Sequence, residues 1–195
     1  TLDTIYNLKI KLIYIIRFGI FLKEQLLNEL TNLGGKMEIS LIGWIHTILG
    51  TLAIFVAAFI ILSQGLITKN SYLGKFYIFA TFITASTALM LYKNGGFNLA
   101  HLLAIFTLIA ILLGLASERF SIFGLSRYIQ ATSYTGSVLF HLIPGIAEVN
   151  KRLPLDNPMG LSVLDPLNIK YYLIFTTVIG ITILVQIYLI WKKKI

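Results

Sequence analysis

The 195-residue chain contains no cysteine. That one absence excludes disulfides, thiolate metal sites, iron–sulfur clusters and cysteine nucleophiles together. Charge is scarce as well. Asp, Glu, Lys and Arg make up 12% of the residues, against roughly 25% in an ordinary soluble domain. A globule of this size in water needs far more polar surface, so the composition excludes a soluble enzyme. Enzyme signatures are also missing: there is no Walker loop, no GxSxG elbow and no HExxH. No catalytic residue is identified, and the reading leans away from an enzyme. No repeat relates the two halves closely enough to argue an inverted-repeat transporter.

What is present is apolar. Hydrophobic residues are 57% of the chain and the mean hydropathy is +0.84. The net charge of +8 would suit a polyanion partner if the basic residues formed one patch. They fall instead singly or in pairs between long apolar runs, the pattern of loops that flank membrane spans. The implied partner is the lipid bilayer, with a second copy or another membrane protein as the protein partner, and not nucleic acid.

Five runs are long enough to cross a bilayer, which takes ~20 largely apolar residues. They cover about 39–63, 76–92, 97–116, 128–147 and 171–191, and none contains Lys, Arg, Asp or Glu. Runs of this length must be helices, because hydrocarbon cannot satisfy loose backbone groups. The fold class is therefore all-α: an integral membrane helical bundle of about five spans over 37–195. Four runs are expected to form the bundle and the fifth to pack outside it. The loop after the fourth run holds Pro154, Pro158 and Pro166 and has the length of a functional loop or lid.

Residues 1–36 differ from the rest. The apolar stretch 12–22 is too short to span and is interrupted by Arg17. Two readings stand. One is an interfacial amphipathic segment, with Lys9, Lys11, Arg17 and Lys23 near the headgroups. The other is a translated leader ahead of a start at Met37, the first methionine, which follows Gly34, Gly35 and Lys36. With five spans, the C-terminal side carries Lys69, Lys75, Arg119, Arg127 and lysines 192–194, and the opposite side carries Lys93, Lys151, Arg152 and Lys170. The excess places the C-terminus in the cytoplasm of an inner (cell) membrane. If the leader also spans, both ends lie inside.

The three histidines are the candidate chemistry. His46, His101 and His141 all fall inside predicted spans, at ~6–10 Å below the same membrane face when counted at 1.5 Å per residue. Ionisable residues within spans usually face the bundle interior and mark a site. Gly43, His46, Gly50, Ala53 and Ala57 recur at three- and four-residue steps, a stripe of small residues that predicts a helix contact. Ser133, Ser137, His141, Pro144 and Glu148 form another stripe, and His101, Ala104 and Leu108 share a face. Tyr77, Thr81, Thr84, Ala88 and Tyr92 add hydroxyls from the second run. Neutral imidazole is a common ligand for Zn, Cu and haem iron, and two histidines from facing helices can hold haem b. His46, His101 and His141 are thus the candidate cofactor or metal ligands, with Glu148 as a carboxylate behind them or a proton acceptor. The cofactor itself stays open between haem b and a transition metal. The competing readings are histidines that serve only as helix contacts in a scaffold or assembly factor, and a small transporter. Trp44, Tyr171, Tyr172 and Trp191 read as interfacial anchors, and lysines 192–194 as a cytoplasmic anchor.

Between Gly43 and Pro154 the order of features resembles the bacterial multi-pass membrane proteins grouped as domain of unknown function 2306. The residues that carry the likeness are Gly43-Trp44-Ile45-His46 with Gly50, Tyr72-Leu73-Gly74-Lys75-Phe76-Tyr77, and Gly95-Gly96-Phe97 with His101-Leu102-Leu103-Ala104. Ser133-Tyr134, Gly136, Glu148 and Arg152-Leu153-Pro154 complete it. The family has a His where Asn70 stands, which removes a ligand from the opposite face and leaves the layer of three histidines intact. The resemblance implies a helical integral membrane protein and no established activity. A looser likeness to membrane b-type cytochromes is fold analogy alone.

Overall fold

The computed structural model describes residues 40–195 except 92–95, 122, 154–158 and 194, together with Arg17, Ile20 and residues 23–25. The chain divides into two compact units, Thr1–Ser40 and Leu41–Ile195. In the first, Arg17, Ile20 and residues 23–25 are helical and exposed. The rest of the expected amphipathic segment, and the start proposed at Met37, lie outside the described residues.

The second unit is built from five helices: α1 Leu41–Gln64, α2 Tyr72–Met90, α3 Leu99–Arg119, α4 Ser126–Arg152 and α5 Pro166–Trp191. No strand occurs among the described residues. Each helix covers one of the apolar runs, and the ends are set by local chemistry. α2 starts four residues earlier than the run at 76 because the Ser71 hydroxyl accepts the Gly74 N–H at 3.0 Å. α5 starts at Pro166, with the Asp165 carboxylate accepting the Leu167 N–H at 2.9 Å and proline at the first helical position, where its missing N–H costs nothing. α4 runs through Pro144, which has no N–H to donate to the Phe140 carbonyl.

Consecutive helices pack side by side, α1 on α2, α2 on α3, α3 on α4 and α4 on α5, and a smaller contact between α1 and α4 closes the first four into a bundle. α5 leans on α4 alone among these major contacts. The interior holds Ala53, Ala57 and Ile60 of α1, Tyr77 and Ala80 of α2, Ile111 of α3, and Tyr134 and Val138 of α4. Small residues bring the helices close. A Cβ on Gly50 would stand 3.0 Å from the Thr84 methyl, and one on Gly114 would stand 2.3 Å from the Tyr134 ring. Gly74 is required by the backbone itself, since a Cβ there would collide with the Thr68 carbonyl.

The distribution of polarity is inside-out for a protein in water. Thr81, Thr84, Thr107, Gln130, Thr135, Ser137, Asn150, Asn168 and Gln186 are buried, while Phe55, Phe59, Leu62, Phe79, Leu112, Leu173 and Leu184 are exposed. Exposed apolar surface on this scale marks an interaction with something other than water. α1, α2, α3 and α5 are long and apolar enough, by length and composition, to cross a membrane. α4 has the length but not the apolarity, because it supplies more of the buried polar side chains than any other helix.

Candidate functional site

Two sets of polar groups stand toward the ends of the bundle. At the Leu41 end stand the histidines. His46, in the second turn of α1, is half-buried, and its Nδ1 lies 2.9 Å from the Thr84 carbonyl of α2. A carbonyl can only accept, so Nδ1 carries the proton, and Nε2 of the neutral ring is left with the lone pair. The Thr87 hydroxyl is 3.3 Å from the same nitrogen. This second-helix grip on Nδ1 is the arrangement that orients ligating imidazoles.

His141, on α4, is buried, and its Nε2 makes no hydrogen bond. It lies within electrostatic range of His46. The buried Thr84 hydroxyl oxygen likewise has no hydrogen-bond partner. An unsatisfied buried polar atom costs about 1–3 kcal/mol, and native interiors keep few of them. Glu148, one helical stretch farther along α4, is exposed and pairs with Arg152 at 2.5 Å, yet it too lies within electrostatic range of His46.

His101 has a different place. It is the third residue of α3, and its Nδ1 accepts the backbone N–H of Asn98 at 3.2 Å. The Asn98 side chain in turn caps the helix, accepting from Ala100 N–H at 2.9 Å. The two form a reciprocal capping box with His in the position usually held by Glu or Gln. An Nδ1 that accepts forces the proton onto Nε2 in the neutral ring. The ring also stacks on Phe97, with centroids 5.5 Å apart. The structure therefore sets His141 within electrostatic range of His46 and ties His101 to its own helix start. Among the described residues no group of three or more His, Asp and Glu side chains stands together as a metal cage.

At the Gln64 end a second polar set appears that the sequence reading did not assemble. Glu118, in the last turn of α3, accepts from the Thr68 hydroxyl at 2.7 Å, the Lys69 N–H at 2.9 Å and the Tyr134 hydroxyl at 2.9 Å. Gln130 of α4 donates to the Ile67 carbonyl at 2.8 Å, and Gln186 of α5 donates to the Gly65 carbonyl at 2.8 Å while accepting from Thr135 at 2.9 Å. Deeper, the Tyr77 hydroxyl donates to the Tyr134 carbonyl at 3.1 Å and lies 2.6 Å from the Ser137 hydroxyl. These side chains satisfy the α1–α2 loop, whose Ile67 is wholly buried and whose backbone has no ladder of its own. A cavity of about 370 Å³ opens beside Glu118, walled by Gln64, Thr68, Arg127 and Gln130. The signals available in sequence were two amides, Gln130 and Gln186, inside the fourth and fifth runs.

Fold and site together define a class: an all-helical protein, apolar outside and polar within, with four helices of membrane-crossing length and composition. No family model, curated protein or solved structure matches the chain.

Proposed function

We propose that the chain is a multi-pass inner-membrane protein with five crossings, in which His46 and His141 form a two-histidine ligand site for a transition metal ion or haem iron. The fifth crossing is α4. Its Gln130, Thr135, Ser137, His141 and Asn150 are buried, so its composition reflects the bundle's interior and not exposure to water. α4 also runs antiparallel beside full-length neighbours: it meets α3 at Tyr134–Glu118 and again at Phe106–Phe140, and α5 at Thr135–Gln186 and again at Asn150–Asn168.

The observation that carries the ligand reading is the buried, unpartnered Nε2 of His141, within electrostatic range of a His46 whose Nδ1 is held by a carbonyl. Such a pair presents two basic nitrogens in a dry setting, which is what borderline metals and haem iron take. His101 is left out of the ligand set because its Nδ1 lone pair is taken by the Asn98 N–H, which leaves the proton on Nε2. The likeness of 43–154 to domain of unknown function 2306 belongs to the same reading, as does a cytoplasmic C-terminus.

Purification in mild detergent, followed by an absorption spectrum and metal analysis, tests this. A Soret band or bound metal is expected in the wild type and in His101→Gln, and its loss in His46→Ala and in His141→Ala. A wild-type protein with neither signal removes the ligand site and leaves a cofactor-free scaffold. Retention of the signal in His141→Ala moves the site elsewhere.

A further inference from the structure

Between α2 and α3, near the Gln64 end, runs a groove of about 510 Å³. Its floor and walls are apolar: Ile78 and Phe82 of α2 face Ile111 and Leu115 of α3, and its mouth is formed by Lys69 and Lys75. The placement follows from the sequence. Ile78 and Phe82 stand three and seven residues beyond Lys75, so all three share one face of α2. Ile111 and Leu115 are one turn apart on α3 and answer them from the opposite side. Phe82 is about half exposed, and Lys75, in the first turn of α2, is exposed. The bonds of Lys69 to Glu118 use its backbone N–H, so its ammonium takes no part in them.

The groove is amphiphilic along its length: two cations at the end of the helices and hydrocarbon-like walls below. From Lys75 to Phe82 it descends ~10 Å at 1.5 Å per residue. A membrane offers one abundant molecule with that profile, an anionic head on an apolar chain. We propose that this groove binds an anionic glycerophospholipid, its phosphate between Lys69 and Lys75 and one acyl chain lying along Ile78, Phe82, Ile111 and Leu115. Basic pockets between spans at the polar boundary recognise such headgroups by the same chemistry. The inference rests on the membrane reading of α2 and α3 and is independent of the histidine site.

The test uses the full chain in nanodiscs of equal parts phosphatidylglycerol and phosphatidylcholine. Lipids retained after detergent extraction are counted by native mass spectrometry. The wild type is expected to retain phosphatidylglycerol over phosphatidylcholine. Lys69→Gln with Lys75→Gln is expected to lower that preference ~30-fold, from about 1 kcal/mol per lysine near an anionic surface. Lys69→Arg with Lys75→Arg keeps the charge and is expected to keep the preference, which separates loss of binding from loss of fold. Seating of the chain is read from Leu112→Trp in a Trp44→Phe, Trp191→Phe background, since Leu112 also lines the groove: its fluorescence should be quenched more by acyl-brominated phosphatidylglycerol than by brominated phosphatidylcholine. Equal retention of the two lipids by the wild type, or an unchanged preference in the glutamine variant, overturns the proposal. So does equal quenching. A chain extracted from membranes by alkaline carbonate would instead show that the membrane reading itself had failed.

Discussion

At the scale of single residues, the contact at Gly114 shows how tightly the helices meet. Gly114 lies under the Tyr134 ring, where an added methyl carbon would stand 2.3 Å from the ring carbon Cε1. The neighbour is a stiff aromatic held at its far end by Glu118, so it cannot swing aside cheaply. Gly114→Ala is expected to destabilise the protein by about 1–3 kcal/mol, read as a lower thermal unfolding midpoint in detergent. Gly136 provides the contrast. Nothing lies within 4 Å of a Cβ placed there, so Gly136→Ala is expected to be neutral or to stabilise α4 by up to ~1 kcal/mol through helix propensity. If both substitutions behave alike, the close approach at Gly114 is not what sets stability. His101 gives a sharper case, because two roles predict opposite results. As the partner in a capping box it is replaceable by Gln, the usual residue at that position, whereas His101→Ala should cost about 1 kcal/mol. A ligand role would make Gln and Ala equally damaging to cofactor content. Unfolding midpoints alongside metal or haem content separate the two.

At the scale of elements, the polar links between α4, α5 and the α1–α2 loop hold the outermost helix. Gln186 joins Thr135 of α4 and the Gly65 carbonyl of the loop. Hydrogen bonds between spans contribute ~0.6 kcal/mol on average and up to ~1.7 kcal/mol. A double-mutant cycle of Thr135→Val and Gln186→Leu is therefore expected to give a coupling energy of about that size, and a coupling of zero would mean the two side chains do not act together. How much of this was legible in sequence differs from helix to helix. α1 is apolar all round, and its inner face was readable only from the spacing of Gly43, Gly50, Ala53 and Ala57, all of them buried. The stripe with His141 was readable too, with Ser137 and His141 inward, but Glu148 at its far end is exposed. Periodicity places a residue on a face and at a depth. It does not name the partner across a helix crossing, so the grip of Thr84 on His46 and the pairing of Asn150 with Asn168 had no signal. Nor could periodicity find His101's role, because a cap is a local backbone event that a depth count overlooks. The folding of the α1–α2 loop into the bundle end depends on Glu118, Gln130 and Gln186, which come from three different helices and converge only in space.

At the scale of the whole molecule, the number of crossings turns on α4. Four helices meet the demands of a bilayer by composition alone. α4 carries Gln130, Thr135, Ser137, His141 and Asn150, all buried, so lipid would not meet them. Its length, 27 residues, reaches ~40 Å at 1.5 Å per residue, enough for the ~30 Å hydrocarbon core. The cysteine-free sequence makes a clean test available, since any cysteine introduced is the only one present. Asn70, Phe97, Phe123, Met159 and Lys193 are exposed positions outside the helices, and together they sample every helix junction and the end of α5. Five crossings place cysteines at 70, 123 and 193 on one side of the membrane and those at 97 and 159 on the other. A membrane-impermeant maleimide applied to intact cells should then label only the second group, and the first group only after the membrane is opened. That outcome would also place the C-terminus in the cytoplasm, as the proposed orientation expects. If α4 failed to cross, positions 123 and 159 would label from the same side, and α5 would have to run in the opposite sense through the bilayer. Its antiparallel contacts with α4, from Thr135–Gln186 at one end to Asn150–Asn168 at the other, could not then form with both helices embedded. The labelling pattern of residues 123 and 159 thus decides the crossing number and, with it, whether His141 lies within the membrane beside His46.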